Sequence, residues 1–177
     1  LKEAHSSYKE AISLKPDYAQ AHYNLGINLQ TQGRFHEAKI SYRNVLKLMP
    51  QNVLAHNNLG TTFKELKRFD EAEKEYRLAI SIKYDYAEAH NNLGNILQEL
   101  GRLDEAELSL EQAISLKSNY VEAYYNLGIT YQENGKTIQA MESYNQAIIL
   151  KPNFARAHSS LGVLFQELGS LKKAELS

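Results

Sequence analysis

The sequence predicts an all-α fold, a right-handed solenoid of stacked helix-turn-helix units, and three observations carry that prediction. The stretch AHNNLG stands at residues 55–60 and again at 89–94, with the variants AHYNLG from 21, AYYNLG from 123 and AHSSLG from 157, an interval of 34 throughout. All 9 glycines fall in two columns of this register and all 3 prolines in a third. Between the columns the apolar residues recur at helical rather than strand spacing.

Aligned on the hexapeptide, full units run 19–52, 53–86, 87–120 and 121–154, with a half unit at 1–18 and a partial one at 155–177, forming a single array. One glycine column occupies the eighth position (Gly26, Gly60, Gly94, Gly128, Gly162) and the other the fifteenth (Gly33, Gly101, Gly135, Gly169). A first helix, A, is expected to close at the fifteenth-position glycine in a left-handed turn. A second, B, is expected to stop at the proline column (Pro16, Pro50, Pro152), each helix being about 12 to 14 residues long. Asp17, Asp85, Asn119 and Asn153, just after that column, are the expected N-caps of the next helix A.

Residues at about 100° intervals put the fourth, seventh and eleventh positions of helix A on one inward face, for example His22, Leu25 and Leu29, or Tyr124, Leu127 and Tyr131. Alanine at the twentieth position (Ala4, Ala38, Ala72, Ala106, Ala140, Ala174) and the eighth-position glycine let A and B approach closely. Tyr8, Tyr42, Tyr76 and Tyr144 fill the gap, with Leu110 as the exception. No unit can bury its apolar face alone, so units must stack into a continuous core.

This pattern resembles the tetratricopeptide repeat (TPR) family over the whole chain. It departs at Lys67, which replaces a turn glycine, at Tyr84 and Ser118 in the proline column, and at Thr137 in place of an apolar residue. A non-glycine residue in the left-handed region costs about 1 to 2 kcal/mol, so the second unit is expected to be softer. The chain begins at the seventeenth repeat position and ends at the twenty-third, from which the array is expected to belong to a longer protein.

Composition removes several functional classes. With 20 basic residues against 21 acidic ones and a net charge of -1, there is no basic footprint for nucleic acid or an anionic membrane. The longest apolar run, Ala147 to Leu150, is far too short to span a bilayer, and no leader pattern stands at the N-terminus, which favours a cytoplasmic setting. The absence of cysteine rules out a disulfide framework and a thiol nucleophile. Every glycine is accounted for by repeat geometry, leaving no phosphate-binding loop, and no serine, histidine and acid have a periodic reason to meet. No enzyme activity, cofactor or metal is expected.

His22, His56, His90 and His158 share the fourth position, but stacked helices lie about 8 to 10 Å apart, too far for these side chains to share one metal. They read as packing residues, with a modest loss of stability expected on acidification. Acid pairs such as Asp70 with Glu71 and Asp104 with Glu105 sit at the start of helix B, where they suit the helix dipole.

The asparagines are different. The second, fifth, sixth, ninth, twelfth and thirteenth positions of helix A are not needed for packing in this reading and should line the concave side. Asn24, Asn58, Asn92 and Asn126 occupy the sixth position, followed by Ser160. Asparagine lies roughly 0.5 to 0.7 kcal/mol below alanine as a helix former, so the column has a cost, and an amide offers the donor and acceptor that the main chain of an extended peptide needs. Around it stand Tyr23, Asn57, Asn91 and Tyr125 at the fifth position and Ile27, Asn95 and Ile129 at the ninth. Gln30, Gln98 and Gln132 form a second amide column at the twelfth, and Glu65, Glu99, Glu133 and Glu167 form an acidic rim favouring ligands with some basic residues.

Idle copies left by duplication would explain the column equally, but the second and third units differ at nearly half their positions, Lys64 against Gln98 and Arg77 against Glu111 among them, and both keep paired asparagines. The column is also similar to the asparagine ladder of the TPR superhelix of O-linked N-acetylglucosamine transferases, a resemblance that implies a grip on peptide backbones. The two-carboxylate clamp of chaperone-tail-binding TPR proteins needs lysines and arginine at the second, fifth and sixth positions, where this chain has only Arg156. The expected function is a protein-interaction module for an extended peptide or unstructured segment. Two alternatives stay open: the substrate-selecting arm of a larger enzyme such as a glycosyltransferase, and a structural scaffold that self-associates through its open ends.

Overall fold

The computed structural model describes residues 2–175, with side chains described over 3–169. Its helices A are α2 (Ala19–Thr31), α4 (Val53–Glu65), α6 (Ala87–Glu99), α8 (Val121–Glu133) and α10 (Ala155–Glu175). Its helices B are α1 (Lys2–Leu14), α3 (Phe35–Leu48), α5 (Phe69–Ile82), α7 (Leu103–Leu116) and α9 (Thr137–Leu150). Helices α2, α4, α6 and α8 each pack against the helix B on either side, α10 packs on α9, and successive helices A also touch, α2 on α4, α4 on α6 and α6 on α8. The result is a helical repeat solenoid in which helices A share one surface.

Small residues at fixed positions set how closely each pair approaches. Ala38, Ala72, Ala106 and Ala140 are fully buried, and Tyr42, Tyr76, Leu110 and Tyr144 reach across onto the eighth-position glycine of their own helix A. Leu25, Leu29, Leu59, Phe63, Leu93 and Leu97 join Ala38, Tyr42, Ala72, Tyr76 and Ala106 in one core that runs through the first three units, and Leu110, Ala140 and Tyr144 share a second with Leu127, Tyr131 and Leu164. No unit therefore holds its own core, as expected for stacked repeats.

The turns between A and B close with the left-handed residue expected at the fifteenth position. Gly33, Gly101 and Gly135 have φ of 72°, and the next residue's amide bonds back into the helix, as in Arg34 N–H to the Leu29 carbonyl at 2.9 Å. Lys67 takes the same conformation with φ of 58°. Relief of the Cβ strain exceeds the extra chain entropy of glycine, so Lys67→Gly is expected to raise stability by about 0.5 to 1 kcal/mol. A denaturation midpoint that does not move would contradict this.

Three expectations are corrected here. The N-caps are Tyr18, Asn52, Tyr86 and Tyr120, one residue after Asp17, Asp85 and Asn119, and only Asn52 caps with its side chain, accepting from the Ala55 amide at 2.9 Å. At the last junction Phe154, preceded by Asn153, packs against Ala157 of the next helix, so packing takes precedence over capping there, whereas Tyr18 is exposed. Second, α10 runs through Gly169 without a turn. A glycine inside a helix costs only about 1 kcal/mol, which a continuous helix tolerates. Gly162 accordingly has no side chain against it, and Ala174 lies outside the described side chains.

Third, the histidines do more than fill space. His22, His56, His90 and His158 each place Nε2 at 2.8 to 2.9 Å from a carbonyl six residues earlier, of Pro16, Pro50, Tyr84 and Pro152. Donation from Nε2–H ties the start of each helix A to the end of the preceding helix B. The fourth unit has Tyr124 at this position and no such tie. At His56 a second partner, Glu75, raises the pKa, so that this ring holds its proton more tightly than a free imidazole.

Candidate functional site

Successive helices A lie side by side, so the fifth position of one meets the sixth of the next. Asn92 Nδ2 donates to Asn57 Oδ1 at 3.0 Å, Asn126 Nδ2 to Asn91 Oδ1 at 2.9 Å, and Asn58 Nδ2 to the Tyr23 hydroxyl at 3.0 Å. Asn24 instead accepts from Gln20 on its own helix at 2.9 Å. Asn57 and Asn91 are consequently buried, with 7% and 5% exposure, so this face is used in packing after all. The asparagine ladder bridges the repeats, a structural return for its low helix propensity that the sequence reading did not anticipate.

The twelfth-position amides also divide. Gln30 accepts from the Tyr42 hydroxyl at 2.8 Å and Gln132 from that of Tyr144 at 2.9 Å. In the second unit, where Lys64 holds this position, Tyr76 turns to Thr61 at the ninth, at 3.1 Å. Burial pushes the Tyr144 hydroxyl up to about 12, consistent with a phenol that serves as a neutral donor. The third unit has Leu110 in the tyrosine column, so no hydroxyl reaches Gln98.

Between α6 and α8, flanked by α4 and α10, lies a groove of about 810 Å³. It brings together Asn91, Asn95, Gln98, Tyr125, Asn126 and Ile129 of the predicted residues. Tyr23 lies in a separate recess of about 100 Å³, where burial raises its pKa against the opposing hydrogen bond from Asn58. Ile27 is exposed on α2, and Gln30, Gln132, Asn24, Asn57, Asn58 and Asn92 do not line this groove.

Tyr120, Glu122 and Lys64 also line it and were missed. Tyr120 belongs to the junction column Tyr18, Tyr86, Tyr120 and Phe154, a periodic aromatic signal that was present in the sequence. Burial, with Glu88 and Glu122 nearby, pushes its hydroxyl up to about 12. On the α10 side the Arg156 guanidinium lies 5.0 Å from the Tyr125 ring centre and 5.1 Å from that of Phe154. Tyr125 thus supports a cation as well as offering apolar surface.

Family comparison agrees with the geometry. A model described as TPR repeat matches residues 1–33, 60–101 and 94–135, and models described as tetratricopeptide repeat match 19–52 and 121–154. The chain belongs to the tetratricopeptide repeat family. A comparison with curated proteins gives no match. Among solved structures, this TPR chain is similar to MamA, at 32% identity and a TM-score of 0.75, covering 82% of this chain and 85% of that one. It is similar to YrrB, described as a TPR protein with an unusual peptide-binding site, at 25% identity and 0.76, covering 90% and 82%. It also resembles pilF of Pseudomonas aeruginosa at 26% identity and 0.80, covering 89% and 72%. The TPR array makes the chain a protein-interaction module, and among the described residues no helix is long and apolar enough to cross a membrane.

Proposed function

We propose that the chain binds an extended peptide, or an unstructured segment of a partner protein, in the groove between α6 and α8. The observation that carries this reading is the groove itself, where the amides of Asn91, Asn95, Gln98 and Asn126 stand beside Tyr125 and Ile129. Amides offer donors and acceptors to a peptide main chain whatever its sequence, while the ring and the isoleucine receive side chains. The similar protein YrrB, a TPR protein with a peptide-binding site, supports the same use. The resemblance to the asparagine ladder of O-linked N-acetylglucosamine transferases supports it also.

The test is binding of a random peptide library to the chain and to a variant with Asn24, Asn58, Asn92 and Asn126 all changed to alanine. Each bridging hydrogen bond lost costs about 1 kcal/mol, and each alanine returns roughly 0.5 to 0.7 kcal/mol in propensity, so the variant should remain helical and melt only slightly lower. Peptide capture by the parent chain is the expected result, with weaker capture by the variant through Asn126, the ladder residue that lines the groove. A parent chain that selects no peptide would overturn the reading. Capture unchanged in the folded variant would confine the ladder to bridging the repeats.

A further inference from the structure

The third unit differs from its neighbours in one way that bears on ligand choice. Wherever the aromatic column holds a tyrosine in a full unit, its hydroxyl takes an acceptor from its own helix A: Gln30 in the first unit, Thr61 in the second and Gln132 in the fourth. These acceptors stand at the twelfth or ninth position. In the third unit those positions are Gln98 and Asn95, and Leu110 has no hydroxyl to occupy them. Both side chains line the groove, and among the described residues neither forms a side-chain hydrogen bond.

Asn91 adds a third amide. It is 5% exposed and lines the groove, its oxygen accepts from Asn126 at 2.9 Å, and its NH2 group has no hydrogen bond among the described residues. The equivalent Asn57 is satisfied at both ends, accepting from Asn92 and donating to Asn58 at 3.4 Å. Unused hydrogen-bonding capacity is thus concentrated at α6. Charge is concentrated there as well. Glu99, Glu122 and Glu133 line the groove against Lys64 and Arg156, and among the described residues none of the three carboxylates is in a salt bridge. By contrast Glu37, Glu73, Glu105 and Glu107 on helices B are all paired with arginine or lysine.

We propose that the third unit is the specificity-bearing unit of the groove, because Leu110 leaves Gln98 and Asn95 available to the main chain of an extended segment that carries a basic side chain toward Glu99, Glu122 and Glu133. The proposal rests on the peptide-binding reading above and goes beyond a uniform ladder. Four helices A at about 8 to 10 Å spacing give a path of roughly 25 to 30 Å, which about eight extended residues would fill.

The decisive substitution is Leu110→Tyr. Tyrosine already packs on the eighth-position glycine in three other units, so the fold should accept it, and its hydroxyl would take Gln98 or Asn95 as its acceptor. The probes are library-selected peptides together with a fluorescein-labelled lysine–alanine–serine repeat peptide and its glutamate-for-lysine counterpart, measured by anisotropy. Leu110→Tyr and Gln98→Ala are each expected to weaken the lysine peptide about tenfold, the equivalent of one or two hydrogen bonds, with melting unchanged. Gln30→Ala, which removes an acceptor already in use, should leave binding unchanged and lower stability. The glutamate peptide should bind more weakly than the lysine peptide.

If no peptide binds the parent chain, the peptide-binding reading fails and this proposal falls with it. If peptides bind but Leu110→Tyr and Gln98→Ala, both folded, bind as tightly as the parent, the groove is a peptide site and the third unit is not special. Equal binding of the two charged peptides would overturn the basic preference.

Discussion

Replacing Tyr144 with alanine is expected to lower stability by about 3 to 5 kcal/mol, the cost of emptying a fully buried aromatic site, while Gly128→Ala in the same pair should cost about 1 to 3 kcal/mol before its propensity gain. The two effects have one origin. The Tyr144 ring is fully buried against the backbone of α8, and a Cβ on Gly128 would stand 2.5 Å from its Cδ1 and Cε1. The ring has no room to retreat, because its hydroxyl is held by Gln132 at 2.9 Å and Tyr125 packs with a ring-centre distance of 5.7 Å. The double variant is therefore expected to be more stable than the two single losses imply, by about 1 to 2 kcal/mol, since the added methyl would meet a cavity instead of a ring. Urea denaturation of the four proteins measures the coupling, and strictly additive losses would show that the ring is not seated on the glycine.

That pair also shows which features could be read from the sequence. Glycine at the eighth position and tyrosine at the twenty-fourth are local requirements of one helix pair, repeated until they stand out as columns. The left-handed turns at Gly33, Gly101 and Gly135 were legible for the same reason, as was that at Lys67, where the position and not the residue type carried the information; Gly169 is the exception. Contacts between units were harder to see. The fifth-position residues looked solvent-facing on a single helix, yet Asn57 and Asn91 are covered because the neighbouring helix A brings Asn92 and Asn126 onto them. Periodicity gives the face of a helix and not the angle at which two equivalent faces meet. The groove was likewise only half legible: Asn95, Gln98, Tyr125 and Ile129 follow from the helical period, whereas Tyr120 enters from the junction before α8. Gln98 and Gln30 occupy equivalent positions, and only the pairing of each with residue 110 or residue 42 distinguishes an available amide from an occupied one.

Removing Glu75 by alanine is expected to cost about 1.5 to 3 kcal/mol at about pH 6, the range for a hydrogen bond to a charged group, and much less at about pH 8.5. His56 has an acceptor at each ring nitrogen, the Glu75 carboxylate 2.6 Å from Nδ1 and the Pro50 carbonyl 2.9 Å from Nε2. A neutral imidazole has one N–H and can satisfy one of them, whereas the imidazolium satisfies both. The hydrogen bond that the ring donates to Glu75 is the largest influence on it and raises its pKa above the ordinary 6.5, against the opposing effect of burial. A group whose pKa is raised by folding contributes stability that is fully present below the unfolded value, and that contribution is lost as pH rises through the folded value. His22, His90 and His158 each meet one backbone carbonyl through Nε2. The contribution of His56 should therefore fall away as pH rises from about 6.5 through the raised folded value, and Glu75→Ala should flatten that part of the profile. Parallel profiles for the two proteins would mean that Glu75 and His56 do not share a proton in solution. A profile that instead rises with pH would restore the behaviour expected of histidines buried without a charged partner.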